Sequence, residues 1–301
     1  MNKAVYISGP ESDIPAEYAR EIRDAGIDLE CRDCNGEAET EAFAKEADLV
    51  WMRGPNRGLT GDVLRRLPKC RAIFRSGSGV DALPCAVAKE LGVAVLNTPE
   101  SISECVAEHA VSLLFAFVRR IPHYDRGVRA GQWELPNGMD WHLSGRTLGL
   151  VGYGRIARTV EKMVSGFSMK VVHYDPFAEG SVDLDELLGM SDFVSLHCPL
   201  TDDTRGLIDA RRLALMKKGA VLVNTSRGPV VDEAALAEAL KSGHLGGAAL
   251  DVLCDEPPAA DNPLIGLDNV IVTPHIAAFS ADFEKNFWSC SAKKVVGFFR
   301  K

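Results

Sequence analysis

The 301-residue sequence lacks any apolar run of the roughly 18 to 20 residues that a bilayer-spanning helix needs. Its first residues, MNKAVYISGPESD, also lack the apolar stretch and the small-residue cleavage site of a secretory signal, and they are typical of a first strand. These two absences predict a cytoplasmic protein that has no membrane partner.

Clusters of basic residues are absent as well. The chain has 34 Lys and Arg against 42 Asp and Glu, a net charge of −8, and its cations form no run. Nucleic-acid binding depends on clustered cations that neutralise phosphates, so a nucleic-acid partner is disfavoured. The mild acidity mainly indicates solubility.

The eight cysteines show no disulfide framework, which is typical of reduced thiols in the cytoplasm. Only Cys31 and Cys34 have CxxC spacing. A zinc site would need two more ligands at similar spacing, and none follows. A redox pair usually opens a helix, whereas this pair follows the strand-like GIDLEC. We expect two unlinked thiols and no metal site.

The chain alternates short β-rich runs with helical stretches in two series. Such runs, bounded by turns and separated by helices, predict parallel strands that are buried on both faces. The first series predicts five strands at 3–8, 27–31, 48–52, 71–75 and 93–97, with helices near 15–25 and 60–67. The second predicts six strands at 147–152, 169–175, 192–197, 220–225, 247–252 and 269–273, with helices near 154–166 and 232–242. The fold class is therefore α/β with two parallel sheets.

A strongly apolar segment, SISECVAEHAVSLLFAFVRRI, separates the two series. Ser101 and Glu104 fit a capping box, and the apolar residues that follow recur at helical spacing, so we expect one helix of about 20 residues. It would join two domains or pack against a second copy of the chain. His109 within it is interpreted as a packing or interface residue. The pattern of the last residues, from about residue 280, predicts a final amphipathic helix.

The stretch LGLVGYGRIA contains the pattern G-x-G-x-x-A from Gly152 to Ala157. The first glycine permits a tight turn, the second lets the backbone approach a pyrophosphate, and the small Ala157 lets the helix pack closely. The helix N-terminus would offer free N–H groups to phosphates. Alone the motif is weak, but a second strand follows it and ends in Asp175. That carboxylate can bind an adenosine ribose and repel a 2′-phosphate, which favours NAD over NADP.

Three ionisable residues follow later strands of the same sheet: Arg227, Glu256 and His275. Ligands bind at the carboxyl ends of parallel strands, so these side chains should share one edge with the glycine turn. His is a base suited to neutral pH, Glu can orient it, and Arg can bind a carboxylate. The set suffices for oxidation of a 2-hydroxy acid. Singly, Arg227 could form a surface pair, Glu256 could be a solvated loop acid, and His275 could be a packing residue.

Several long blocks in order, among them GSGVDALP, VLVNTSRGPVVDEAALAEALKSGHLGGAALDV and NVIVTPHIAA, resemble the D-isomer-specific 2-hydroxyacid dehydrogenase family over essentially the whole chain. The resemblance implies two Rossmann-like α/β domains, with the cofactor domain inserted into the substrate domain. Residues 1–97 with 279–301 would be the substrate domain, and 98–278 the NAD-binding domain. It also implies a homodimer, with the helix near 100–120 at its interface.

The resemblance assigns roles to residues of this chain. His275 matches the acid/base, Glu256 its carboxylate partner, and Arg227 the substrate-binding arginine. Substrate is also expected at Arg53, Gly77, Ser78 and Gly79. The residues expected to bind NAD are Gly152, Tyr153, Gly154, Arg155, Ile156, Asp175, Pro176, His197, Cys198, Pro199, Thr204, Thr225, Ser226, Asp251 and Ala277.

These features predict hydride transfer between NAD(H) and a small D-2-hydroxy acid/2-oxo acid pair, of the glyoxylate, hydroxypyruvate or phosphoglycerate type. Two alternatives remain open. The same scaffold serves as an NAD-sensing, corepressor-like binding module, and the three site residues do not exclude that use. They do not exclude a phosphite-type dehydrogenase either.

Overall fold

The backbone of the computed structural model forms two compact units, and residues 2–54, 56–133 and 141–300 are described. The first unit joins Met1–Ser103 to Phe279–Lys301, and the second unit is Glu104–Ala278. The sequence predicted a domain boundary after residue 97, whereas the first unit continues for six more residues, to Ser103.

The first unit contains a five-stranded parallel sheet with strand order β2-β1-β3-β4-β5, so all five predicted strands are confirmed. The strands are β1 (Asn2–Tyr6), β2 (Ile27–Cys31), β3 (Leu49–Met52), β4 (Ala72–Arg75) and β5 (Ala94–Asn97). The helices are α1 (Ala16–Asp24), α2 (Glu37–Ala44), α3 (Gly61–Arg65), α4 (Cys85–Leu91) and the C-terminal α11 (Phe283–Phe299). Helices α2 and α4 were not expected from the sequence.

The central strands of the first unit are buried, as the apolar runs predicted. Every residue of β3 is buried, and the indole of Trp51 stacks on Phe74 with ring centroids 5.8 Å apart. Trp288 from α11 meets Trp51 edge-on at 5.8 Å and is itself fully buried. These aromatic contacts attach the C-terminal helix to the sheet through dispersion and apolar burial.

The second unit contains a six-stranded parallel sheet with order β11-β10-β9-β8-β6-β7, again as predicted. The strands are β6 (Thr147–Val151), β7 (Lys170–Tyr174), β8 (Phe193–Leu196), β9 (Val221–Asn224), β10 (Gly247–Leu250) and β11 (Val270–Val272). The helices are α5 (Ser103–Val118), α6 (Ile121–Arg129), α7 (Arg155–Val164), α8 (Leu184–Met190), α9 (Ala210–Leu215) and α10 (Glu233–Lys241). The chain order reverses between β6 and β8, and a crevice for ligands forms at such a point.

The expected helix of about 20 residues is wrong in both its start and its extent. Ser101 lies in a 3-10 turn, and its Oγ donates to the carbonyl of Thr98 at 2.7 Å, so it does not cap the helix through a box with Glu104. Helix α5 has 16 residues, and Arg120, with φ of +47°, separates it from α6. Because a left-handed residue cannot continue an α-helix, the segment is two helices.

Two sequence predictions concern the cysteines and the membrane. All eight cysteines are free thiols, so Cys31 and Cys34 are unlinked as expected. In the described part of the chain, no helix combines the length and the apolarity that crossing a bilayer requires.

Candidate active site

The glycine turn lies between β6 and α7, as the sequence predicted. Gly152 has φ of +85°, and a Cβ there would lie 2.6 Å from the backbone N of Cys198, so only glycine fits. Gly154 precedes the first residue of α7, and no atom lies within 4 Å of where its Cβ would be. The turn is therefore tight on the side of β8 and open beside the helix N-terminus, where a phosphate would bind.

Asp175 ties the end of β7 to this turn. Its Oδ2 accepts the N–H of Tyr153 at 2.8 Å, and its Oδ1 accepts the N–H of Phe177 at 2.9 Å. A carboxylate has about four acceptor sites, so capacity remains for ribose hydroxyls. The acidic residue was expected at this position, whereas its hydrogen bond to the glycine turn was not.

Tyr153 takes part in a stack that sequence analysis did not foresee. Its ring lies parallel to His173 on β7, with centroids 3.6 Å apart, and the guanidinium of Arg158 lies 4.2 Å from the ring centroid. Its hydroxyl donates to the carboxylate of Glu161, which raises the pKa of Tyr153. These contacts fix the turn against β7 and α7.

Two polar atoms at the crevice are buried without a hydrogen-bond partner among the described residues: Nδ1 of His197 and Oγ1 of Thr225. They directly follow the paired residues Leu196 and Asn224 of β8 and β9. Buried polar atoms normally have partners, so a ligand that supplies them fits this place. Burial lowers the pKa of His197 to about 4, so its ring is neutral at pH 7, and Nε2 pairs with Ser195 Oγ at 2.9 Å.

Other residues expected at the cofactor occupy the same strand-end loops. Burial raises the pKa of the Cys198 thiol to about 11, so the thiol stays protonated at pH 7. Thr204 holds the loop after β8, donating to the carbonyl of Pro199 at 2.6 Å. Arg155 and Ile156 form the first turn of α7, and Pro176 is exposed just after β7.

Arg227 lies in a loop after β9 that buried Asn224 organises. The Nδ2 of Asn224 donates to the carbonyl of Arg227 at 3.0 Å, and its Oδ1 accepts the N–H of Ser226 at 2.9 Å. The guanidinium of Arg227 donates to the carbonyl of Ser226 at 2.7 Å. Gly228 follows, where a Cβ would lie 2.0 Å from the backbone of Leu253, so the next loop packs directly on this one.

Glu256 and His275 form the central pair of the site. The Nδ1 of His275 lies 2.6 Å from Oε2 of Glu256, and Oε1 of that carboxylate accepts the N–H of Leu253 at 3.1 Å. The side chains are 48% and 37% exposed, so solvent-borne molecules can reach them. Nε2 of His275 is left without a bond to any described residue. A histidine fixed through one nitrogen can exchange a proton through the other.

The backbone of His275 is unusual, because its φ of +53° is rare outside glycine. Asp251, at the end of β10, holds it there. The carbonyl of Asp251 accepts the N–H of His275 at 2.9 Å, and its buried carboxylate accepts the N–H groups of Ile276 and Ala277 at 3.0 and 2.8 Å.

His109, interpreted from sequence as a packing or interface residue, belongs instead to this network. Its Nε2 lies 3.0 Å from Oγ1 of Thr273 and 3.4 Å from Oδ1 of Asp251. Thr273 in turn donates to Asp251 at 2.5 Å. His109 and Thr273 are 164 residues apart, and no local spacing relates them, so the sequence carried no signal of this contact.

In the first unit, the loop Gly77–Gly79 follows β4 and is fastened through its carbonyls and through the N–H of Gly77, which donates to Oγ1 of Thr98 at 2.8 Å. The amide of Gly77, expected at the substrate, is therefore already bonded within the chain. Thr98 N–H donates to Gly77 O at 2.9 Å, Asn97 Nδ2 to Ser78 O at 2.7 Å, and Arg75 to Gly79 O at 2.6 Å. The N–H groups of Ser78 and Gly79 donate to no residue that the structure describes. Such backbone N–H groups suit a carboxylate.

Arg53 follows the neighbouring strand β3, as expected, but it already has a partner. Its guanidinium is 2.6 Å from Oε1 of Glu284 on α11 and lies over the rings of Phe287 and Trp288 at 5.4 and 5.5 Å. Sequence analysis missed Glu284, because the pair joins residues 231 positions apart.

Residues 111–277 match the family model described as the D-isomer specific 2-hydroxyacid dehydrogenase, NAD binding domain. This match covers most of the second unit, including the glycine turn, Arg227 and the His275–Glu256 pair. The chain belongs to the D-isomer-specific 2-hydroxyacid dehydrogenase family. NAD is accordingly the cofactor of its second unit, and the expected family is confirmed.

Relatives within this dehydrogenase family differ in their names and lengths. A D-3-phosphoglycerate dehydrogenase of Archaeoglobus fulgidus is 36% identical over 97% of this chain but only 56% of its own length, so the chain spans about half of that relative. A hydroxypyruvate reductase of Thermotoga maritima is 40% identical over 80% of this chain and 81% of its own. The crystal structure of a D-lactate dehydrogenase from Aquifex aeolicus with NAD and lactic acid is 31% identical, covers 99% and 95% of the two chains, and has a TM-score of 0.86.

Proposed function

We propose that this chain is an NAD-dependent dehydrogenase that interconverts D-2-hydroxy acids and 2-oxo acids. The observation that carries this proposal is the His275–Glu256 pair, 2.6 Å apart, at the carboxyl edge of the sheet in the family's NAD-binding domain. Arg227 lies at the same edge, after the strand next to β10. An acid/base, its orienting carboxylate and a cation for the substrate are the groups that this chemistry needs.

Each of these three side chains has a distinct role in the proposed reaction. His275 accepts the hydroxyl proton at Nε2 during oxidation and returns it during reduction. Glu256 fixes the ring through Nδ1 and stabilises its protonated form, as the carboxylate of a catalytic triad does. Arg227 binds the substrate carboxylate and polarises the reacting oxygen. Bound NAD supplies the hydride exchange.

We propose that NAD binds in the crevice between the ends of β6 and β8. The two buried polar atoms without partners, on His197 and Thr225, and the open space beside Gly154 support this place. Asp175 favours NAD over NADP because its charge repels a 2′-phosphate. The other proposed contacts are Gly152, Tyr153, Arg155, Ile156, Pro176, Cys198, Pro199, Thr204, Ser226, Asp251 and Ala277.

The substrate's carboxylate would bind the unused N–H groups of the Gly77–Gly79 loop, and Arg53 would contact the substrate beside it. The fastening of that loop through its carbonyls supports this role, because it leaves the amides oriented before any ligand binds. Preorganised donors of this kind cost little reorganisation on binding.

We also propose a cytoplasmic homodimer. Helix α6 supports the dimer, because Ile121 and Val128 lie two turns apart on it and are 55% and 51% exposed. A second copy of the chain that covered this helix face would bury both side chains. The eight free thiols support a reducing compartment.

The experiment that tests the function is NADH consumption, in parallel with NADPH, against 2-oxo acids graded by size and charge. We expect turnover of at least one acid, with NADH preferred over NADPH. His275→Ala should abolish most of it, by a factor of about 100 or more, while NADH still binds. His142→Ala serves as the control, because His142 is exposed in the same unit and outside the site.

Retained turnover in His275→Ala would contradict the assignment of the acid/base. Tight NADH binding without turnover of any acid would contradict the proposed reaction and support an NAD-sensing binding module. Phosphite is also tested, as a substrate for NAD reduction. Activity with phosphite but with no organic acid would identify a phosphite-type dehydrogenase.

A further inference from the structure

The first unit contains a cavity of about 600 Å³ at the carboxyl edge of its sheet. One side is formed by residues after β1, β2 and β3, including Ser8, Asp33 and Arg53, and the other by residues of the C-terminal segment. The Gly77–Gly79 loop follows β4, which pairs with β3 in register Met52 to Arg75. The cavity therefore begins at Arg53, beside the loop proposed to hold the substrate carboxylate.

Three phenylalanines form an aromatic wall in this cavity: Phe279, Phe283 and Phe287. Their ring centroids are 4.7 and 5.1 Å apart along the series. Phe279 is 63% exposed, whereas Phe283 and Phe287 are 7% and 4% exposed, so the wall is anchored at one end and open at the other. Aromatic rings that line a cavity favour aromatic and aliphatic ligands.

Two polar side chains of the cavity, Asn56 and Ser8, are already bonded within the chain. The Asn56 amide donates to the carbonyls of Ile7 and Cys34 at 3.2 and 2.9 Å, and its oxygen accepts two backbone N–H groups. The Ser8 hydroxyl accepts the N–H of Arg53 at 3.1 Å. These groups maintain the shape of the cavity, and they have little capacity left to select a polar ligand.

One of the two arginines that line the cavity is held in an ion pair. Glu284 pairs with Arg53 at 2.6 Å and accepts the indole N–H of Trp288 at 2.6 Å, so the arginine is held and partly neutralised. The lining also contains two exposed charged residues, Asp33 and Arg57. Phosphate recognition favours cations free to form charge-assisted bonds, and a nearby carboxylate repels the anion.

We propose that this cavity binds the substrate's side chain, and that the substrate is a 2-oxo acid with an aromatic or bulky aliphatic side chain. The inference rests on the proposed function. Glyoxylate has no side chain to fill about 600 Å³. A phosphorylated acid would meet Arg53, which Glu284 already pairs, and Arg57, but also the carboxylate of Asp33 and the phenylalanine wall. Burying apolar surface on the phenylalanine wall favours the larger acids.

The test compares kcat/KM with NADH for phenylpyruvate, 4-methyl-2-oxopentanoate, glyoxylate and 3-phosphohydroxypyruvate. We expect phenylpyruvate or 4-methyl-2-oxopentanoate to exceed the other two acids. In Phe279→Ala, the ratio of kcat/KM for phenylpyruvate to that for glyoxylate should fall about 10-fold or more, because the ring's contact area is lost. Leu91→Ala is the matched control: Leu91 is a 45% exposed apolar residue of the same unit outside the cavity, and its removal should leave the ratio unchanged.

Results that differ from these expectations show whether the side-chain assignment or the proposed dehydrogenase function is wrong. A preference for glyoxylate or 3-phosphohydroxypyruvate, or a ratio unchanged in Phe279→Ala, would overturn the side-chain assignment while leaving the dehydrogenase activity intact. Absence of turnover with all four acids and with the graded panel would overturn the proposed function itself. Because Phe279 is mostly exposed, its removal should not unfold the chain, and circular dichroism verifies this.

Discussion

His275 concentrates the strain and the chemistry of the proposed active site in one residue. A left-handed backbone at a non-glycine residue costs about 1–3 kcal/mol and persists only where neighbours enforce it. Asp251 stabilises this conformation, because its oxygens accept the N–H groups of His275, Ile276 and Ala277. This backbone conformation places the imidazole so that its Nδ1 lies 2.6 Å from Oε2 of Glu256.

At the residue scale, we predict that Glu256→Gln lowers kcat/KM by a factor of about 100 or more. The amide keeps the shape of the side chain but removes the charge that stabilises protonated His275. Steady-state NADH oxidation measures the effect. Asp255→Asn is the control, since Asp255 is an adjacent exposed acid with no role in the pair, and equal losses in the two variants would refute the assigned role.

A second residue-scale prediction concerns His197 and pH. Burial lowers the pKa of His197 from 6.5 to about 4. Between these two pH values the imidazole is protonated in the unfolded chain but neutral in the folded chain. Folding stability is therefore lost as the pH falls from about 6.5 to 4, and this residue accounts for about 3 kcal/mol of the loss.

The measurement is the free energy of unfolding in urea at pH 7, 5.5 and 4, for the original chain and His197→Gln. As the pH falls, the free energy of unfolding should decrease less in His197→Gln than in the original chain. His142→Gln, at an exposed site, should track the original chain. A constant difference between His197→Gln and the original chain would contradict the prediction.

At the scale of elements, the strand-turn-helix unit of β6 and α7 uses its two glycines for different purposes. Gly152 is needed for folding, because its φ is +85° and the backbone of Cys198 occupies the space of a side chain. Gly154 has φ of −80° and open space around it. Its lack of a side chain matters only when a ligand approaches the helix N-terminus.

We therefore predict opposite effects for the two alanine variants. Gly152→Ala should lower the free energy of unfolding by at least about 2 kcal/mol, through strain and a backbone clash. Gly154→Ala should stay within about 1 kcal/mol of the original chain but bind NADH at least about 10-fold more weakly, because its Cβ occupies the pyrophosphate's space. Urea denaturation and NADH fluorescence titration measure the two effects. Normal NADH affinity in Gly154→Ala would exclude the proposed phosphate site.

At the scale of the whole molecule, two units of the same architecture have different proposed roles. Both present loops at the carboxyl edge of a parallel sheet, but only the second has the glycine turn. The exposed apolar residues of α6 also belong to the second unit, which makes it the proposed site of dimerisation.

We predict that the chain is a dimer in solution and that replacing Ile121 and Val128 together with Asp yields a monomer. Two charges cannot be buried in an apolar interface without a large desolvation penalty. Light scattering coupled to size exclusion gives the mass. Leu215→Asp, at another exposed apolar residue of the second unit, should remain a dimer. A monomeric original chain would refute the assignment.

Both parallel sheets could be predicted from the amino-acid order alone, because buried strands show continuous apolar runs and tight turns need glycine. The amino-acid order also predicted Arg227, Glu256 and His275 as site residues, since each follows a strand that must end at one edge of the sheet. Helix ends were less predictable: the local pattern around Ser101 fits a capping box, but its hydroxyl bonds to Thr98 instead. Nor did the apolar pattern of α5 contain the break at Arg120.

Contacts between distant segments could be seen only in the folded chain. The bonds of His109 to Thr273 and of Arg53 to Glu284 join residues 164 and 231 positions apart, and no periodicity encodes them. The cavity wall of Phe279, Phe283 and Phe287 likewise exists only because the last helix packs beside the first strands. Local interactions are set by spacing along the chain, whereas side chains that meet across a fold are set by how whole elements pack.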